Sequence, residues 1–229
     1  MNPPQTIFTD ITFRFPRKHL HQKLRIVDHP DLRLEFDALL DEAIRIAKPK
    51  IVYRPLEIER VGDGFIMLQG FELPSTILSS KYLAKRSIYV FAATCGEELE
   101  AWASTLDDPL KQYWGHEILS IALERATRHL KREIIARYNP SHLTIIDPGA
   151  TADWPLEGQT LLFDLLGDLP EKIGLSLLAS HIMKPTKSVS GIMFEATETI
   201  NRCRLCNMDG CFERGRPFDP SLFPSLAKQ

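Results

Sequence analysis

Three of the chain's four cysteines lie within nine residues, in the run Cys203-Arg204-Leu205-Cys206-Asn207-Met208-Asp209-Gly210-Cys211. The spacing is C-x2-C-x4-C. A two-residue gap lets a tight turn aim the first two sulfurs at one ion, and Gly210 eases the reversal that brings the third toward them. Arg202, Arg204, Arg214 and Arg216 flank the run. Cations there lower thiol pKa values and offset the negative charge of a thiolate-bound metal. Cys203, Cys206 and Cys211 are therefore the expected ligands of a metal or cluster. Three sulfurs leave a tetrahedral zinc or a four-iron cluster one ligand short, to be completed by Cys95, His181, water or a substrate atom. They do not separate zinc from iron–sulfur, and the same spacing also serves thiol redox chemistry or a loop of exposed reduced thiols.

The rest of the chain sets the context. With 229 residues, 44% of them hydrophobic and 25% charged, it has an ordinary globular composition and can bury a core without a disulfide framework. The formal net charge of -2 argues against a nucleic-acid binder held by counterion release. No run of about 18 apolar residues suggests a membrane-spanning helix, and Met1 to Asp10 lacks the pattern of a secretory signal. A cytoplasmic, reducing compartment is the expectation, in which clustered cysteines read as metal or redox groups rather than staples.

The elements that must position these residues follow from hydrophobic periodicity. Residues 1–30, with Pro3, Pro4, Pro16 and Pro30, read as an irregular arm that packs against the body or a partner, with the charges at Arg17, Lys18 and His19 forming a solvated face. Phe36, Leu39, Leu40, Ala43, Ile44 and Ala47 recur at helical spacing, and Pro49 ends that helix. Strands are expected at Ile51 to Arg60, Phe65 to Gly70 and Ser87 to Thr94, with a turn at Gly62-Asp63-Gly64. Cys95-Gly96-Glu97-Glu98 opens a helix whose first-turn carboxylates complement its dipole. A long helix carries the stripe Leu119, Ala122, Leu123, Ala126, Leu130 and Ile134, with Asn139-Pro140 breaking it. His142 to Ile146 is a short strand, Asp147-Pro148-Gly149 a turn, and Leu156 to Leu166 a short helix. Ile173 to Leu178 and Gly191 to Ala196 read as two more strands, and the tail from Arg216 as a surface wrap. No βαβ rhythm and no glycine-rich phosphate loop appears, so the expected fold is α+β, a mostly antiparallel central sheet flanked by helices. Residues 31–200 form the main domain, and 201–229 a cysteine-bearing tail packed on it.

Two stretches resemble the activation domain of cobalamin-dependent methionine synthase. One is Pro148-Gly149 followed by Asp153-Trp154-Pro155-Leu156-Glu157 and the leucines from Leu161 to Leu166. The other is Ile182-Met183-Lys184-Pro185-Thr186-Lys187-Ser188-Val189-Ser190-Gly191-Ile192, whose Ser188 to Gly191 run is the most specific part. Weaker similarity at Ala47 to Arg54 and Ala92 to Gly96 looks like free-standing members of that family, several of which end in such a cysteine cluster. The resemblance implies that S-adenosylmethionine binds beside a corrinoid carried on a partner, a corrinoid-binding methyltransferase or methionine synthase subunit, with an electron-donor protein alongside. Holding the methyl donor toward cobalt while an electron is supplied would restore methylcobalamin. It places cofactor contacts at Pro148, Gly149, Ser188, Ser190 and Gly191. The family's loop reads arginine-x-x-x-glycine-tyrosine. Here Ile145, Ile146 and Asp147 occupy the arginine's region and Ala150 stands at the tyrosine, so Trp154 is the substitute aromatic surface and Asp153 the partner for a ribose hydroxyl or the sulfonium. The competing reading is an electron-transfer or metal-binding module that has kept the fold and lost the methyl donor.

Overall fold

The structure is a computed structural model that describes residues 5–9, 11, 14–211 and 214–223; Pro3 and Pro4 lie outside the described residues. The first half of the chain builds β1 (Thr6–Phe8), α1 (Arg17–Lys23), α2 (Pro30–Ile46), β2 (Lys50–Glu57), β3 (Arg60–Val61), β4 (Phe65–Leu68), β5 (Phe71–Pro74), β6 (Leu83–Thr94) and α3 (Glu97–Ala103). The second half builds α4 (Pro109–Tyr138), β7 (Leu143–Ile146), α5 (Gln159–Leu166), α6 (Leu169–Ile173), β8 (Ser176–Leu177), β9 (Met183–Lys184), β10 (Ser188–Ala196) and α7 (Arg202–Leu205).

Local chemistry explains the borders. Asp108 caps α4, its carboxylate accepting from the backbone N–H of Leu110 and Lys111 at 2.9 Å each, and Pro109 follows at the first helical position. Asn139 ends the helix in the left-handed region, where its short polar side chain is tolerated. Asp168 caps α6 in the same way, and Gly174 closes it at φ 65°.

The α+β expectation holds. Five strands form an antiparallel sheet in the order β1-β2-β6-β10-β7, with the twelve-residue β6 at its centre. Alternation along the strands sends side chains to two faces. On one face Val52, Val90, Ala92, Ile146 and Ile192 join Trp154, Leu162, Leu165 and Leu166 beneath α5 and α6. On the other, Tyr53, Phe91, Ala93 and Met193 meet Ala126, Leu130 and Ile134 of α4. A third cluster unites α1, α2, α3 and the first half of α4 around Phe36, Leu40 and Trp114.

The structure departs from expectation at three places. The described part of residues 1–30 packs on the body, but through regular elements rather than as an irregular arm. β1 pairs with β2, and α1 buries Leu20 completely, while Arg17 forms ion pairs with Asp37 and Asp41. Ile173 to Leu178 is chiefly the end of α6 and a two-residue strand, because the Asp168 cap and Pro170 start a helix ahead of the β-branched residue. The tail does more than wrap the surface: Leu222 and Phe223 are buried in the core beneath α5. Among the described residues no helix is long and apolar enough to cross a membrane.

Candidate functional site

The Pro148–Gly149 loop and the Ser188–Gly191 run, 40 residues apart in sequence, meet at one margin of the sheet. β7 and β10 are paired up to Ile146 opposite Ile192. One residue further, Gly191 stands against the start of the loop: a Cβ there would lie 2.6 Å from the Ile146 carbonyl oxygen and 3.2 Å from the Asp147 Cβ. A side chain at this position would push β7 and its loop away, so glycine sets how closely the two motifs approach.

The loop is folded on itself. The backbone N–H groups of Thr151 and Ala150 donate to the Asp147 carbonyl at 3.0 and 3.3 Å, the Asp147 N–H donates to Thr151 Oγ1 at 3.3 Å, and the Gly149 N–H donates to the Trp154 carbonyl at 2.8 Å. Gly149 takes φ 78°, which an L side chain disfavours, and Pro148 precedes it. Ser188 donates its hydroxyl to the Pro185 carbonyl at 2.6 Å.

Burial separates the expected contact residues. Trp154 is 2% exposed and packs in the core under α5, so its ring face is a packing surface of the fold rather than an open platform. Asp153 turns inward and accepts from the Thr76 backbone N–H at 2.5 Å through Oδ2. Among the described residues, three polar atoms around the loop are buried without a hydrogen-bond partner: Asp147 Oδ1, Asp153 Oδ1 and the Ser190 hydroxyl oxygen, on a residue 2% exposed. Leaving such an atom unpaired costs roughly 1–3 kcal/mol. A ligand bringing donors could offset part of that cost.

Asp147 and Arg202 are the pair that sequence reasoning did not single out. Asp147 is 6% exposed, and burial pushes its carboxyl above the usual carboxylate range although the Arg202 guanidinium, in an ion pair with it, pulls the other way. The start of the loop after β7 therefore meets an arginine supplied by α7. The Ala152 N–H also donates to the Leu205 carbonyl at 3.0 Å, so α7 is strapped to the loop at two points. The sequence signals were present, an aspartate opening the Pro-Gly turn and an arginine beside Cys203, but nothing in the spacing joins residues 55 positions apart.

Among the described residues nothing supports the expected metal centre at the cysteine segment. Cys203, Cys206 and Cys211 are half-buried free thiols, and among the described residues no three His, Cys, Asp or Glu side chains are grouped to hold a metal ion. The proposed fourth ligands lie elsewhere. Cys95 is sealed in the cluster around α2 and α3, where burial raises its thiol to about 12, and His181 Nδ1 faces Thr160 Oγ1 at 3.4 Å. Three of the four flanking arginines are also committed. Arg202 serves Asp147, Arg204 donates to Asp219 at 2.6 Å, and Arg214 donates to the carbonyls of Cys206, at 3.2 Å, and Met208. Side-chain bonds to carboxylates and carbonyls hold this segment. Among the described residues the three thiols are not gathered into a metal-ligand set, and no chemistry is assigned to a zinc ion or an iron–sulfur cluster.

Comparison with known proteins agrees with this architecture. Among solved structures the chain is similar to one described as the crystal structure of the MetH reactivation domain bound to AdoHcy, with a TM-score of 0.60 and 16% identity over 87% of this chain and 81% of that one. The chain thus has the fold of a methionine synthase reactivation domain. No protein-family model matches it, and no curated protein does.

Proposed function

We propose that this chain supports reductive remethylation of a corrinoid cofactor on a partner cobalamin-dependent methyltransferase, such as a methionine synthase subunit, with S-adenosylmethionine as methyl donor. The observation that carries this reading is the convergence of the Pro148–Gly149 loop with the Ser188–Gly191 run, in a fold shared with a reactivation domain that was solved bound to AdoHcy. Pro148 and Gly149 shape the loop, Gly191 keeps β10 close to it, and Ser188, Ser190 and Asp153 supply polar groups around it. The buried, unpartnered oxygens of Asp147, Asp153 and Ser190 are acceptors suited to a ligand rich in amine and hydroxyl donors and bearing a positive sulfonium. Trp154 supports the loop from beneath. The corrinoid, on its own protein, would take one external electron and the sulfonium methyl, leaving S-adenosylhomocysteine. The part of this chain is to bind and orient the donor and to exclude water around it.

Two measurements test the reading. Titration with S-adenosylhomocysteine should show saturable binding that Gly191→Val abolishes. Mixing the chain with a corrinoid methyltransferase, S-adenosylmethionine and reductant should speed the loss of the cob(II)alamin spectrum. Absence of binding at about 1 mM ligand, near -4 kcal/mol, overturns the donor role.

A further inference from the structure

A cavity of about 610 Å³ opens between the segment that leads into α7 and the returning tail. Its walls come from Thr199, Asn201 and Arg204 on one side and from Arg216, Phe218 and Asp219 on the other. The tail is held in this position by its own anchors. Leu222 and Phe223 plug into the core, the Asp219 N–H donates to the Arg204 carbonyl at 3.0 Å, and the Phe218 and Phe223 ring centroids are 5.8 Å apart. Its size falls within the range of small-molecule sites, roughly 300–1,000 Å³.

The polar groups lining this cavity are mostly donors. Asp219 is the carboxylate in the lining, and both its oxygens are engaged. Oδ2 accepts from Arg204, and Oδ1 accepts from the Ser221 N–H at 3.1 Å and the Ser221 hydroxyl at 2.6 Å. Asn201 spends its carbonyl oxygen on the Cys203 N–H at 2.9 Å, which leaves its amide N–H groups to donate elsewhere. Arg216 is exposed and forms no ion pair among the described residues, unlike Arg202 and Arg204. With Arg204 balanced by Asp219, Arg216 is the unbalanced charge among the described lining side chains, and Glu198 acts on Arg204 from just outside the lining. Pro217 and the half-buried Phe218 ring add an apolar wall beside that cation.

We infer that this cavity is a second ligand site, which takes an oxyanion, carboxylate or phosphate, borne on a planar ring. Arg216 and the Asn201 amide hold the oxyanion, and the ring lies against Phe218 and Pro217. A guanidinium suits this task because its planar fork matches two oxygens of one anion. The inference stands on the tail's geometry and does not depend on the corrinoid reading above.

The test uses the full chain and 1-naphthyl phosphate, whose fluorescence reports binding, with 1-naphthoate, inorganic phosphate and 1-naphthol as companions. One saturable site for 1-naphthyl phosphate is expected. Arg216→Gln, at an exposed position, should weaken it at least about tenfold, as the loss of a charge-assisted bond requires. Inorganic phosphate and 1-naphthol should each bind more weakly than the combined probe. Comparison of 1-naphthyl phosphate with 1-naphthoate then separates a phosphate site from a carboxylate site. Lys131→Gln, on the exposed face of α4, should leave affinity unchanged. Absence of saturable binding, equal affinity in Arg216→Gln, or inorganic phosphate binding as tightly as the naphthyl ester would each overturn the inference.

Discussion

At the scale of single residues, the buried Asp147 carboxyl has the clearest thermodynamic consequence. Its pKa lies above the ordinary value of 3.8 in the folded chain. Between those two values the folded state binds more protons than the unfolded one, so this group's contribution to stability falls as pH rises through the window. Asp147→Asn should flatten that decline, which urea midpoints measured between about pH 4 and pH 7 would show. Arg202→Ala leaves the carboxyl without its cation and should cost about 1–3 kcal/mol near neutral pH, with a smaller cost in acid. The cysteines offer a second check. Native alkylation with iodoacetamide, followed by mass spectrometry, should modify Cys203, Cys206 and Cys211 and spare Cys95 until the chain unfolds.

At the scale of elements, the sheet margin formed by β7 and β10 depends on one absent side chain. Gly191→Ala places a Cβ 2.6 Å from a backbone carbonyl that cannot rotate away. Roughly 1–3 kcal/mol of destabilisation is expected, with backbone amide exchange rising first in β7 and the loop after it. Helix α4 makes a different demand. Leu130 is fully buried between the helix and the sheet, so Leu130→Ala should cost about 2–5 kcal/mol in an equilibrium urea titration. These helices were legible beforehand because their apolar stripes repeat along one face. The short elements were not. β8, β9 and α7 have two to four residues each, too few for any period to register, and they exist because neighbours already in place complete their hydrogen bonds.

At the scale of the whole molecule, the N-terminal residues are part of the fold. β1 covers the edge of β2, and α1 closes the helical cluster around Phe36 and Trp114, with Lys23 bound to Glu117 at 2.6 Å. Deleting residues 1–28 should lower the melting temperature and leave β2 as an open edge. Light scattering should then detect more association in the truncated chain than in the full chain, and equal scattering would count against this role of β1. A period-based reading missed this because its pairing is long-range. β1 is recognised by a strand about 45 residues away, and no local pattern marks it.

The sequence by itself determined the α+β class, the antiparallel sheet and the main helices, since alternation and helical stripes are local properties that burial then enforces. It also marked the two motifs whose meeting defines the candidate site. The tertiary structure decided the rest. The C-x2-C-x4-C spacing of Cys203, Cys206 and Cys211 was compatible with a metal centre, but convergence of ligands depends on where the backbone is led. Here Arg202, Arg204 and Arg214 bind Asp147, Asp219 and the carbonyls of Cys206 and Met208, and among the described residues the segment gathers no metal-ligand set around those bonds. Pairings between distant residues are settled by packing of the whole chain, and spacing along it does not encode them.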